Sequence, residues 1–103
     1  MTAQGHPRTI FKRAVERGNV VIAEPTAREL GLTLEEALQL VLLYAAYEPA
    51  KLERAALRWL IRYLDEGNGV TLLRAQVALA ALGQLRGDAH DGAAKLLMEL
   101  ARR

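Results

Sequence analysis

The chain has 103 residues, 51% hydrophobic and 25% charged, with a formal net charge of +2. Those values describe one globular domain large enough for a single core, and disorder is not the default reading. With no cysteine and no serine, disulfides, thiolate metal sites and the commonest acyl-transfer nucleophiles are excluded, and so small a charge does not by itself imply nucleic acid.

Leucine, alanine, arginine and glutamate dominate, and all four are strong helix formers because they lose little side-chain freedom in a helix. Period-two runs of β-branched residues are missing, so the predicted class is all-α. Residues 1–7 are predicted to fray ahead of a first helix, Arg8 to Arg17, which Gly18 ends. A second helix runs from Val20 to Leu30, unless Pro25 starts it and leaves Val20 to Ala23 extended. The third spans Leu34 to Glu48, opened by the capping-box pair Thr33 and Glu36. Pro49 suits the first position of a fourth helix that reaches Glu66. Gly67-Asn68-Gly69 is a connector without the lysine and hydroxyl ending of a phosphate loop. Thr71 and Asp88 are candidate N-caps for the last two helices, Leu72 to Arg86 and Ala89 to Arg102. Short links favour antiparallel hairpins, so the expected fold is a single domain over 1–103, a compact bundle or short α-solenoid of about six helices.

Arg13-Ala-Val-Glu-Arg-Gly-Asn19 echoes Arg62-Tyr-Leu-Asp-Glu-Gly-Asn68, which shared helix-end chemistry explains more simply than duplication. The stretches Phe11-Lys-Arg-Ala-Val-Glu-Arg-Gly-Asn19, Thr26-Ala-Arg-Glu-Leu-Gly31, Leu34-Glu-Glu-Ala-Leu38 and Glu53-Arg-Ala-Ala-Leu-Arg-Trp-Leu60 resemble a group of short, uncharacterised, all-helical actinobacterial proteins. The resemblance implies a helical fold and carries over no activity, cofactor or site residue.

At about 100° per residue, the fourth helix carries apolar residues over more than half its circumference, from Leu52 to Leu64. Such an arc asks for two neighbours, so this helix is expected at the centre. Glu53 projects from the arc and is read as reaching water from the first turn. The third helix is apolar all round from Leu40 to Tyr47, and the fifth nearly so. Either they form the centre, or part of their surface meets a homodimer mate or other protein, through an interface including Leu43 and Ala46. The run Leu40 to Tyr47 also falls far short of the roughly 20 apolar residues that span a bilayer. No secretory h-region opens the chain. A cytoplasmic protein without a membrane role is expected.

Chemistry is sparse. His6 sits near the predicted frayed end and His90 at the rim of the last helix, and the Glu35-Glu36 and Asp65-Glu66 pairs do not converge. No catalytic, metal or cofactor site is therefore predicted, and the chain is read as non-enzymatic. Trp59 and Tyr63, four apart, are read as stacked core residues. Lys51, Arg54, Arg58 and Arg62 align four cations along one stripe of the fourth helix. That stripe is the candidate partner-binding feature: it suits an acidic protein surface, or phosphates in a nucleic-acid-binding regulator. The expected function is a protein-interaction or adaptor module, possibly self-associating, with the nucleic-acid regulator as the alternative.

Overall fold

A computed structural model describes residues 6–103, and six α-helices make up about three quarters of that span. They are α1 (Pro7–Glu16), α2 (Val20–Glu29), α3 (Leu34–Tyr47), α4 (Leu52–Glu66), α5 (Leu72–Leu82) and α6 (His90–Arg102), with a 3-10 turn, Pro49–Lys51, leading into α4.

Local chemistry sets the ends. His6 caps α1, its Nδ1 accepting from the Arg8 N–H at 3.1 Å, and Pro7 follows at a position that needs no donor. His6 and Pro7 thus belong to an ordered helix start; residues 1–5 of the predicted frayed segment lie outside the described residues. Gly18 closes α1 in the left-handed region (φ +70°), where the N–H groups of Gly18 and Asn19 return to the carbonyls of Val15 and Ala14. The Asn19 side chain then caps α2 at once, which leaves Gly18 and Asn19 as a tight corner. α2 starts at Val20 with Pro25 inside it. The carbonyl of Val21 receives no bond from Pro25, and Val21, 78% exposed, leaves that oxygen to water. Thr33 and Glu36 form the reciprocal capping box of α3, and Thr71 caps α5. Asp88 does not cap α6: the N-cap position falls to Ala89. α5 ends at Leu82, four residues before its predicted end, because Gln84 and Leu85 bond three residues back rather than four. That tightened winding turns Leu85 into the core at 2% exposure.

The helices form three hairpins: α1 with α2, α3 with α4, α5 with α6. The first and third both pack on the middle one, through α3. α3, not α4, is the central helix, touching α1, α2, α4 and α6. Of its all-round apolar run, Val41, Leu43 and Tyr44 are thereby core, while Ala46 and Tyr47 stay exposed. α4 packs mainly on α3 and α5, so it does not take the central place expected of it. The molecule measures 47 × 29 × 20 Å, and its thinnest dimension holds two helix diameters. In so thin a body a helix of the outer layer has one face on the core and one on solvent.

Trp59 and Tyr63 anchor that core at 2% exposure each, with ring centroids 5.2 Å apart and planes within 5°. The Trp59 indole N–H, which burial would otherwise leave unpaired, donates to the Leu34 carbonyl at 2.9 Å. Ion pairs tie the hairpins together at the surface. Arg8 on α1 reaches Glu36 on α3, and Arg102 on α6 reaches Glu35 on α3 at 2.9 Å.

Candidate functional site

The cationic stripe of α4 is divided by its surroundings. Lys51 donates to Glu24 of α2 at 2.8 Å and lies 3.7 Å from Glu48. Arg62 grips Glu66 one turn on, with both bonds at 2.8 Å. The two ends of the stripe are therefore neutralised within the chain. Arg54 and Arg58, in the middle, are exposed and have no carboxylate within 4 Å.

Arg54 and Arg58 border an open cleft of about 790 Å³ between α2, α3 and the start of α4. Arg28 of α2 lines the same cleft from the opposite wall, which residue spacing could not show because α2 and α4 come to border one cleft only in the fold. Arg28, Lys51, Arg54 and Arg58 face Glu24 and Glu53 there, an excess of two positive charges. Glu53 itself is exposed and, among the described residues, unpaired, in keeping with its reading as a solvated first-turn acid.

The cleft floor carries a small polar network. The Tyr44 hydroxyl donates to Glu24 Oε2 at 2.6 Å, and the Lys51 ammonium donates to the same oxygen at 2.8 Å. The Lys51 hydrogen bond, followed by that of Tyr44, holds the Glu24 carboxyl below its ordinary value. Burial, reinforced by the Glu24 charge, pushes the Tyr44 phenol far above its own. Both groups therefore keep fixed protonation at neutral pH, and the network is structural. Lys51 also lies 5.8 Å from the centroid of the Tyr44 ring.

The predicted interface pair does not hold together. Leu43 is 5% exposed within the core, so it cannot meet another molecule without unfolding α3, and only Ala46 faces solvent. The exposed apolar surface lies elsewhere. On α4, Leu57, Ile61 and Leu64 are 51%, 66% and 49% exposed. They point away from Trp59 and Tyr63, so α4 is apolar on two opposite faces. Leu79 of α5, also exposed, shares with Leu57 and Leu60 a groove of about 410 Å³. Spacings of four and three along Leu57, Ile61 and Leu64 were the signal for this second seam. In projection it merges with the core face into one broad arc, because a helical projection does not say where the neighbours stand.

The histidines have local duties. His6 caps α1, and the His90 Nδ1–H donates to the Leu85 carbonyl at 2.7 Å. Among the described residues no group of three or more histidines and carboxylates is close enough to hold a metal ion. No helix among them is long and apolar enough to cross a membrane.

With this geometry in view, comparison with known proteins adds one partial similarity. The chain is 34% identical, over 98 aligned residues, to the UDP-N-acetylmuramoylalanine–D-glutamate ligases of two strains of Nitratidesulfovibrio vulgaris, DP4 and Hildenborough. The alignment covers 86% of this chain but 22% of each ligase. The chain thus spans about a fifth of the length of these relatives, and the ligation activity in their name belongs to much longer proteins. No family model matches the chain, and no solved structure matches it.

Proposed function

We propose that this chain is a non-enzymatic protein-interaction module, working in the cytoplasm, whose docking surface is the outward face of α4 with the adjoining edge of α5. The carrying observation is the exposed line Leu57, Ile61 and Leu64 on a helix whose opposite face already fills the core with Trp59 and Tyr63. Single exposed leucines are ordinary on a soluble surface. A contiguous apolar line continued by Leu79 of the next helix is what a binding surface leaves open in the unbound state. Burying such side chains against a partner is worth roughly 25 cal/mol per Å² of apolar surface removed from water.

The direct test is retention of partners from native lysate by the wild-type chain and by Ile61→Asp. Ile61 is 66% exposed, so the variant should keep its helical circular dichroism and melting temperature. Loss of specific protein partners in the variant supports the reading, and identical recovery by both chains overturns it.

A second reading rests on Arg28, Arg54 and Arg58 around the α2–α4 cleft, which suit a polyanion such as nucleic acid. Two features weigh against it. Lys51 and Arg62 are committed to carboxylates, and Tyr44, the aromatic residue of the cleft, is 5% exposed and bonded to Glu24, so no base can stack on it. Binding of a DNA or RNA oligonucleotide that falls steeply with salt, and is lost in Arg54→Glu/Arg58→Glu, would favour the regulator instead.

A further inference from the structure

We propose that the occupant of the outward face of α4 is a second copy of this chain, packed antiparallel about a two-fold axis close to Ile61. The proposal rests on the docking-surface reading above and names its partner. It comes from the order of side chains around the helix. Relative to Ile61, at about 100° per residue, Leu57 and Leu64 fall about 40° and 60° to one side, and Arg54, Asp65 and Arg58 fall about 20°, 40° and 60° to the other. The outward face is thus a line of three apolar side chains with one flank made of Arg54 and Arg58 near the N-terminal end and Asp65 near the C-terminal end.

A two-fold axis perpendicular to a pair of antiparallel helices keeps each flank on its own side and reverses the direction of travel. Arg58 lies about 4.5 Å before Ile61 along the helix and Asp65 about 6 Å after it, at 1.5 Å per residue. Asp65 of the second copy therefore comes within about 1.5 Å, along the axis, of Arg58 of the first, with Arg54 also in reach. On the other flank the same arithmetic sets Leu57 against Leu64 of the second copy, and Ile61 meets its own counterpart at the axis. Both the apolar and the charged parts of the face are self-complementary. Among the described residues, neither Arg58 nor Asp65 has an ion-pair partner within the protomer. A parallel two-fold pair would exchange the flanks and set Arg58 and Asp65 against Leu57 and Leu64 of the second copy, which leaves both charges without partners. The antiparallel arrangement also opposes the two helix dipoles.

Sedimentation of the full chain over a wide concentration range tests the proposal. The expected result is a reversible dimer that Ile61→Asp converts to a monomer with unchanged circular dichroism. Arg58→Asp and Asp65→Arg should each weaken self-association by about tenfold, since each turns two attractive contacts repulsive. The double variant Arg58→Asp/Asp65→Arg should restore it, because the reversed charges again face each other. A strict monomer at all concentrations overturns self-pairing; if Ile61→Asp nevertheless loses its protein partners, the docking surface itself stands. A dimer indifferent to Ile61→Asp overturns self-pairing through α4 and leaves the docking surface to the lysate comparison. A dimer lost in Ile61→Asp but not rescued by the double charge reversal overturns the antiparallel register.

Discussion

Gly18 shows how much one position can carry. Its φ of +70° lies where a Cβ strains the backbone, and a Cβ there would sit 2.6 Å from the Tyr47 ring. The Tyr47 ring tip can swing outward, since the residue is 60% exposed, so the backbone strain is the larger cost. Gly18→Ala is expected to destabilise the fold by about 1–2 kcal/mol in urea unfolding. Gly31→Ala serves as the control: a Cβ there meets nothing within 4 Å and the backbone is unstrained, so that variant should be neutral or slightly stabilising. At this scale the sequence was a good guide. Gly18, Thr33 with Glu36, and Thr71 announce helix ends because capping is settled within about four residues of chain. Asp88 misled for the complementary reason: the tight turns from Gly83 onward shift the start of α6 past the residue suited to cap it.

Among the elements, α2 shows propensity overruled by its surroundings. Pro25 interrupts its backbone bonds, yet the helix continues because Val20 and Ala23 are buried against α1 and the Asn19 cap fixes the first turn. Thr26 adds a local bond to the Ile22 carbonyl at 2.7 Å. Pro25 is exposed, so Pro25→Ala removes the interruption without emptying the core. The variant should be stabilised by about 1–2 kcal/mol: relief of a cost up to about 3, less the roughly 1 that greater unfolded-chain freedom returns. A thermal melt decides it, and a lower midpoint would show that the proline kink is needed for the fit of α2. α4 taught the opposite lesson. Its apolar arc was legible as a whole, but the division into a core face at Trp59 and Tyr63 and an outward face at Leu57, Ile61 and Leu64 was not. Periodicity measures how much of a helix is apolar, and neighbours decide which part is covered.

For the molecule as a whole, acid should loosen the attachment of the first hairpin. Glu24 and Glu36 both join α1–α2 to the middle hairpin, the first through Tyr44 and Lys51, the second through Arg8. Glu24 is held below 4.5 chiefly by the Lys51 hydrogen bond. For Glu36, burial pulls upward, but Arg8 and the Thr33 N–H together outweigh it. Both carboxyls thus bind protons less readily folded than unfolded. The stability they contribute is complete above about pH 4.5 and is lost as pH falls through their lower folded values. The urea midpoint should be flat near neutrality and fall below that pH. Glu24→Gln/Glu36→Gln should lower the midpoint at neutral pH and flatten the acid decline; an unchanged decline would place the sensitivity in other groups. The all-helical class and the pairing of successive helices into hairpins could be read from residue order, because composition, caps and short links act locally. The central place of α3, the burial of Leu43, the entry of Arg28 into the cleft beside Arg54 and Arg58, and the outward turn of Ile61 were decided only when the hairpins packed. Each depends on which surfaces distant segments cover, and that is a property of the folded whole.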